Sequence, residues 1–307
     1  MSASSSSSPA PLVIGLGEAV WDLFPDSRRA GGAPGNVAYQ VQQLGGRALV
    51  ATRFGRDEAG QALADHLAGE GLDLSLVQWD EALPTGAVTV HLEDPAHPHY
   101  TIHAPAAWDN LEATPALLDA ARRADAICFG TLAQRDSRSR ETIHRVLAAA
   151  GPRCLVVYDI NLRQTYYDRE WIECSLAASK IAKLNHDEVA IIAPLLGLPA
   201  RPADFARALL EGTAVEAVCV TRAEEGCLVV TPGETVDIPG ERVDVVDAVG
   251  SGDAFSAAMI MSLCRGWSLE KAVRFANRVG ALMATKPGAT PRIAAEYAEL
   301  WKTFGRS

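Results

Sequence analysis

The sequence lacks the features that mark membrane-spanning, secreted and nucleic-acid-binding proteins. None of its apolar runs approaches the roughly 18 residues that a membrane-spanning helix needs. Its 28 lysines and arginines are outnumbered by 38 aspartates and glutamates, which argues against nucleic acid as the main partner. Residues 1–11 are small and polar with no apolar leader, and we expect a disordered tail there. The expected protein is cytoplasmic, with neither membrane nor nucleic acid as a partner.

Cysteine is scarce and shows no spacing typical of a metal or redox site. The six cysteines form no C-x-x-C pair, and several lie in apolar runs, as Cys128 does. This placement is typical of reduced thiols in the core of a cytosolic protein. His97, His99 and His103 lie close together without a carboxylate or cysteine at useful spacing, so we expect a solvated loop rather than a metal site.

Three common nucleotide-binding or catalytic motifs are also missing. The chain has no G-x-x-x-x-G-K-[ST] P-loop. Gly15 and Gly17 have no third glycine to complete a dinucleotide fingerprint. Ser251 has glycine on both sides, which is the wrong spacing for a hydrolase nucleophile. P-loop enzymes, Rossmann dehydrogenases and α/β-hydrolases are therefore poorly supported.

Short apolar segments alternate with helical periodicity, which is typical of a mostly parallel sheet covered on both faces by helices. Strands are predicted at 12–17, 49–54, 126–130, 154–160, 181–184 and 217–221. Helices are predicted at 36–44, 58–67, 140–150, 169–179, 204–210, 253–264, 269–285 and 292–301, the last with Thr290 as N-cap and Pro291 as its first residue. Antiparallel hairpins are predicted within 87–103 and 226–238.

The segment 245–255 carries the clearest chemical signal. An apolar stretch enters a turn at Gly250, Ser251 and Gly252, and a helix follows at once. Converging amides and a helix N-terminus form an anion hole suited to a phosphate in transfer. Asp253, in the first turn, is placed to accept a proton from a substrate hydroxyl. The segment fits equally well a glycine turn in which Asp253 only stabilises the helix dipole.

A second glycine-rich segment precedes the first predicted helix. Gly31 and Gly32 allow close approach of a ligand, and Asn36 offers both a donor and an acceptor to a sugar hydroxyl. Taken alone, this segment is better interpreted as a glycine turn with Asn36 as N-cap.

Together the two segments resemble the two signatures of the ribokinase-like (PfkB-type) carbohydrate kinases. Gly31, Gly32 and Asn36 match the G-G-x-x-x-N helix start, and 247–253 match D-T-x-G-A-G-D, with Ala248 for Thr and Ser251 for Ala. The similarity runs from about residue 12 to residue 301. It implies an ATP-dependent sugar kinase with a three-layer α/β/α fold and a mostly parallel central sheet. The kinase domain would span 12–307, with a small β-sheet lid formed by about 18–33 and 85–106.

The resemblance also implies roles for single residues. Four residues would carry the catalysis: Asp253 as general base, and the amides of Gly250, Ser251 and Gly252 as the anion hole. The sugar would be bound by Asp22, Gly32 and Asn36. ATP and its phosphates would be bound by Arg163, Asn185, Glu188, Thr221, Gly226 and Asn277. Mg²⁺ would lie near Glu188, and a monovalent cation, K⁺, near the carbonyls of Asp247 and Val249 and the 284–289 loop.

The substrate is less sharply indicated than the reaction. The sequence of residues 31–38 resembles that of fructokinase-like members of the family, so fructose is the first candidate. The segment 100–105 lacks the arginine that many fructokinases have there, and ribose, 2-keto-3-deoxygluconate, adenosine and other ketoses stay open. A non-catalytic sugar-binding protein and an unrelated α/β enzyme are the alternatives from other classes. The family often uses its lid as a dimer surface, which implies a homodimer.

Overall fold

The computed structural model describes residues 9–91 and 99–305, so residues 1–8 of the predicted tail and His97 lie outside it. The strands are β1 (Leu12–Leu16), β2 (Val20–Phe24), β3 (Ser27–Gly31), β4 (Arg47–Ala51), β5 (Arg53–Gly55), β6 (Gln78–Asp80), β7 (Ala87–His91), β8 (His99–Ile102), β9 (Ala126–Phe129), β10 (Leu155–Asp159), β11 (Ile181–Asn185), β12 (Ala217–Thr221), β13 (Cys227–Val230) and β14 (Thr235–Ile238). The helices are α1 (Ala33–Gln43), α2 (Glu58–Gly69), α3 (Pro115–Arg123), α4 (Ser137–Ala149), α5 (Arg169–Ala177), α6 (His186–Leu196), α7 (Pro202–Gly212), α8 (Ser251–Cys264), α9 (Leu269–Ala284) and α10 (Ala294–Gly305).

An eight-stranded sheet forms the centre, in the order β14-β13-β12-β11-β10-β9-β1-β4. In this sheet the six neighbouring strands β12, β11, β10, β9, β1 and β4 are parallel. Strands β13 and β14 are antiparallel to their neighbours. Successive residues of a strand face opposite sides, so Ile14 packs into one apolar cluster and Val13 into the other. Helices α3 to α7 cover the first cluster, and α1, α2, α8, α9 and α10 cover the second. The predicted three-layer α/β/α fold is confirmed.

A second sheet of four strands, in the order β3-β2-β7-β8, is built from two separate segments of the chain. The predicted antiparallel pairing between β7 and β8 is confirmed, and β13 and β14 form the second predicted hairpin. That the four-stranded sheet serves as a lid stays a prediction. In the described part of the chain, no helix is long and apolar enough to cross a membrane.

The strand predicted at 49–54 is wrong, because β4 and β5 are separate strands. The chain leaves the main sheet at Thr52, whose carbonyl accepts the Gln78 N–H at 2.9 Å, and β5 then pairs with β6. The sequence pattern could not show where the chain leaves the main sheet, since the apolar residues of the two strands form one almost continuous run.

The predicted start of the last helix is also wrong. Helix α10 begins at Ala294, so neither Thr290 nor Pro291 has the predicted cap role. Contacts with α1 hold the preceding residues outside the helix: Tyr39 Oη donates to the Pro291 carbonyl at 3.2 Å, and the Ile293 N–H donates to Gln43 Oε1 at 3.2 Å.

Candidate active site

The carboxyl ends of the parallel strands meet at one edge of the main sheet, where ligands of open α/β sheets usually bind. Glu18 follows β1, and Asp159 and Asn185 end β10 and β11. Asn185 is in register with Thr221, the last residue of β12. Helix α8 approaches the same edge, since Ser256 Oγ donates to Asp159 Oδ2 at 2.7 Å. The fold thus brings residues from distant parts of the sequence together.

A hydrogen bond joins the two sequence motifs directly. Asn36 Nδ2 donates to Asp253 Oδ2 at 2.8 Å, across a separation of 217 residues. Helix α1 begins at Ala33, so Asn36 is not its N-cap, and that interpretation is wrong. The N-cap is Gly32, with φ +103°, where a Cβ would lie 2.6 Å from the Glu18 carbonyl oxygen. Only glycine fits this position without strain.

Asp253 is the third residue of α8, which begins at Ser251 rather than at the predicted residue 253. Burial raises the pKa of its carboxyl above the ordinary value, and the Asp159 carboxylate raises it further. The Asn36 hydrogen bond and the charges of Lys183 and Arg163 act in the opposite direction. A carboxylate with a raised pKa is a better proton acceptor, which is what a general base needs.

A buried ion pair supports the first turn of α8. Lys183 Nζ lies 3.0 and 2.9 Å from the two Asp159 carboxylate oxygens, and both side chains are less than a tenth exposed. A Cβ on Gly252 would lie 3.1 Å from the same ammonium. Burial alone would lower the pKa of Lys183, but the Asp159 charge outweighs it and the pKa lies above its ordinary value. The lysine is therefore charged beside the predicted anion hole.

Sequence reasoning missed Lys183, although the sequence carried a signal for it. A single lysine interrupts the apolar run of β11, whose first four residues are buried. A charged residue at such a position needs a partner or a function.

The turn before α8 is tied to the loop that follows α9. Asp247 Oδ1 accepts the Val249 N–H at 3.0 Å, and Asp247 Oδ2 accepts the Gly288 N–H at 3.0 Å. Arg29, on β3, lies 3.7 Å from Asp247 Oδ2. The Ser251 N–H donates to the Ala248 carbonyl at 3.2 Å, so this amide of the predicted anion hole already takes part in the turn.

One arginine, Arg163, acts on the acids of the predicted sugar side. Burial raises the pKa of Asp22 to about 6, while Arg163 and Arg29 lower it. Burial also raises the pKa of Glu18 to about 7, and Arg163 again lowers it. Arg163 acts on Asp22, Glu18 and Asp253 alike, so its guanidinium lies within electrostatic range of all three carboxyls. Placement among acids says little for the predicted role of Arg163 as a phosphate ligand, which stays a prediction.

Asn185 and Glu188 form a capping box at the start of α6. Asn185 Oδ1 accepts the Glu188 N–H at 2.9 Å, and Glu188 Oε2 accepts the Asn185 N–H at 2.8 Å. Glu188 Oε1 accepts the Leu162 N–H at 2.7 Å. Each oxygen keeps a lone pair, which suits Mg²⁺ bound largely by water and phosphate. Among the described residues, no group of three or more potential ligands is arranged to hold a metal ion by itself.

Two of the other predicted nucleotide residues lie together. Asn277 Nδ2 donates to the Pro239 carbonyl at 3.1 Å, and a Cβ on Gly226 would collide with Pro239 and Gly240. Thr221 is in register with Cys227, the neighbour of Gly226, and its Oγ1 lies 3.5 Å from the Leu184 carbonyl. Ala223, in the loop between Thr221 and Gly226, has φ +47° and is therefore strained.

Comparisons with known proteins agree with this arrangement. The model of the pfkB family carbohydrate kinases matches residues 20–295. A putative sugar kinase of Pyrococcus horikoshii is 30% identical to this chain, over 86% of this chain and 84% of its own. The structure of an uncharacterized sugar kinase from that organism in complex with ATP superposes with a TM-score of 0.81 at 27% identity. The superposition covers 96% of this chain and 99% of the other. A fructokinase of Escherichia coli is 30% identical over 89% of this chain and 93% of its own. A Vibrio cholerae fructokinase structure with fructose, ADP and potassium ion bound has a TM-score of 0.79 at 25% identity, covering 96% and 99%. The chain therefore belongs to the pfkB family and is a carbohydrate kinase.

Proposed function

We propose that the protein transfers the γ-phosphoryl group of ATP to a hydroxyl of a sugar, with Asp253 as the general base. The observation that carries this proposal is the hydrogen bond between Asn36 and Asp253 at the N-terminus of α8. It joins a residue that can orient a sugar to a carboxylate beside an anion site. Neither motif alone distinguished catalysis from a structural turn.

In the proposed reaction, Asn36 holds Asp253 Oδ2 and leaves Oδ1 to face the sugar hydroxyl. Asp253 accepts the hydroxyl proton as the sugar oxygen forms a bond to the γ-phosphorus. The bond between that phosphorus and the β,γ-bridging oxygen breaks, and ADP leaves with its electron pair. The N-terminus of α8 and the Lys183 ammonium stabilise the negative charge that develops on the phosphoryl oxygens.

The metal ions of the proposal fit the donors that are present. Mg²⁺ would lie near Glu188 and the phosphates, where it would neutralise phosphate charge. K⁺ would take the carbonyls of Asp247 and Val249 with the 284–289 loop. Asp247 already links these two segments through its hydrogen bonds to Val249 and Gly288.

Fructose is the proposed acceptor. Fructokinases are among the similar proteins, and the Vibrio cholerae structure contains fructose with ADP. Ribose, 2-keto-3-deoxygluconate and adenosine are the alternatives that a substrate panel has to test. An aminoimidazole riboside kinase of Salmonella, 28% identical, gives a reason to include a nucleoside.

The four-stranded sheet is proposed as a lid and as the surface of a homodimer in the cytoplasm. Gln164 Nε2 donates to the Tyr100 carbonyl at 2.5 Å, and Arg135 Nη2 donates to the His103 carbonyl at 2.9 Å. These contacts connect β8 and the residue that follows it to the rest of the protein. Closure over the site would exclude water, which otherwise competes with the sugar as acceptor.

The test is ATP turnover with each candidate sugar, for the wild type, Asp253→Asn and Asp204→Asn. Asp204 is the matched control, because it is also the third residue of a helix, α7. We expect Asp253→Asn to lower kcat by about 10²–10⁴ with sugar binding retained, and Asp204→Asn to retain activity. Activity of Asp253→Asn within tenfold of wild type would contradict the base assignment. Sugar binding by the wild type without turnover would indicate a non-catalytic protein.

A further inference from the structure

Glu18 is a buried carboxyl with no role in the reaction described so far. It lies in the loop between β1 and β2 and is only 4% exposed. Its Oε2 has no hydrogen-bond partner among the described residues. The N–H groups of Glu18 itself and of Ala33 interact with the carboxyl. Because Gly32 has no side chain to cap α1, Glu18 serves partly as the missing cap.

Capping of α1 accounts for only one of the two carboxyl oxygens of Glu18. A buried acceptor without a partner is costly, and native proteins rarely leave one. The charges that act on Glu18 are those of Arg163 and Asp253. The Glu18 backbone lies against Gly32, which precedes α1 and Asn36, and the Asp22 carboxylate lies against Gly31. Glu18 therefore lies beside the residues proposed to bind the sugar.

We propose that Glu18 is a further substrate-binding residue, whose Oε2 accepts a hydrogen bond from a second hydroxyl of a neutral sugar. The inference rests on the proposed function, because it requires a sugar between Asp22, Asn36 and Asp253. A ligand with hydroxyl groups can donate a hydrogen bond to Glu18 and also bind Asn36. An apolar ligand can do neither.

Neutrality of the sugar follows from the charges around the space. The guanidinium of Arg163 acts on three carboxyls, those of Glu18, Asp22 and Asp253, while Lys183, which also acts on Asp253, is paired with Asp159. Arg29 also acts on Asp22, but it lies within 3.7 Å of Asp247 as well and is half exposed. A carboxylate or phosphate on the acceptor would add a like charge to this group. The site therefore favours fructose, ribose or another uncharged polyol over a sugar acid such as 2-keto-3-deoxygluconate.

The test compares the wild type with Glu18→Gln and with Asp26→Asn as a control in the exposed turn after β2. Glutamine keeps an oxygen for the Ala33 N–H but puts an NH₂ group in place of Oε2. We expect Glu18→Gln to weaken sugar binding, measured by calorimetry without ATP, by about 10- to 100-fold. The KM for ATP should change little, the melting temperature at pH 5 should stay near that of the wild type, and Asp26→Asn should behave as wild type.

The outcomes separate this inference from the proposed function. If the wild type phosphorylates a neutral sugar but Glu18→Gln binds it within twofold of wild type, Glu18 is only a cap and the inference is wrong. If the wild type binds no sugar of the panel, the proposed function itself fails. A 2-keto-3-deoxygluconate preference would overturn the neutral-sugar part.

A second measurement covers the case in which Glu18→Gln does not fold. Ionisation of Glu18 makes both carboxyl oxygens strong acceptors, so the wild-type sugar Kd should decrease as pH rises from 6 to 8. Arg163, Asp253 and the Ala33 N–H are the groups that face Glu18, and Asp22, which shares Arg163, titrates lower. A Kd that is constant across this range would contradict the inference.

Discussion

The N-termini of α1 and α8 look alike in sequence but differ in electrostatics. Both helices begin after a glycine with positive φ, Gly32 and Gly250, and neither has a side-chain cap of its own. At α1, Pro34 lacks an N–H and the Ala33 N–H faces the Glu18 carboxyl. At α8, a lysine ammonium lies beside Gly252 instead.

This difference assigns the two ends to different ligands. The N-terminus of α1 already has an acidic side chain against its first N–H, so it suits an uncharged group such as a hydroxyl. The N-terminus of α8 retains its positive potential and gains a cation, so it suits a phosphoryl group. One glycine-rich pattern thus serves two chemistries, and the neighbouring side chain decides which.

The largest expected effect comes from removing the cation beside α8. Lys183→Met leaves Asp159 buried without a counter-charge, and we expect a loss of about 3–5 kcal/mol in the free energy of unfolding. The pKa of Asp253 should rise further, since Lys183 now lowers it, and the acidic limb of the kcat–pH profile should move to higher pH. Urea unfolding and the pH profile measure the two effects.

Its control is the double variant Lys183→Met/Asp159→Asn. Removing both charges should recover part of the lost stability while activity stays low. If the single variant is as stable as the wild type, the ion pair does not support α8 as described.

A smaller effect is expected at the carboxylate beside α1. Glu18 has a pKa of about 7 in the folded protein, against an ordinary value of 4.5, so the folded state binds more protons between these values. Stability from this group is therefore present below about pH 4.5 and is lost as pH rises through 7. The total loss amounts to roughly 3–4 kcal/mol by linkage. The difference in unfolding free energy between wild type and Glu18→Gln, measured from pH 5 to 8, should change with this slope, and a constant difference would contradict it.

The smallest expected effects come from replacing glycine by alanine at the start of each helix, which should affect α1 and α8 differently. Gly32→Ala places a Cβ against the Glu18 carbonyl at φ +103°, and we expect it to cost about 1–2 kcal/mol or more of stability. Gly252→Ala meets only the Lys183 ammonium, so stability should be kept while kcat falls about tenfold. Equal losses of stability in both variants, seen in thermal unfolding, would remove the distinction.

Much of the fold was predictable because apolar strands and their spacing are local signals. The strand Ala217–Thr221 has the predicted bounds, and the start of α2 at Glu58 agrees with the prediction. Helix α3 was missed, although Thr114 is its N-cap and Pro115 its first residue. The same Thr-Pro signature at 290–291 pointed to a helix start where contacts with α1 prevent one. Identical local sequences therefore had opposite outcomes, and tertiary hydrogen bonds decided between them.

In the candidate site, too, local sequence signals were predictable and tertiary contacts were not. The motif residues were visible because their glycine spacing is local, and the resemblance paired them. The roles proposed here for Glu18 and Lys183 depend on charges that come from distant segments, Asp253 and Arg163 for one and Asp159 for the other. A pattern in one segment does not show which charges the fold places beside it.

The contact between Asn36 and Asp253 also has a consequence during protein synthesis. Its two residues are 217 positions apart. At the ~5–20 residues per second of translation, Asn36 is added to the chain roughly 10–40 s before Asp253. A nascent chain therefore has half of the proposed sugar site for most of its synthesis and no base until α8 has emerged. Phosphoryl transfer would begin only in finished molecules, and a C-terminal truncation before α8 would yield no active fragment.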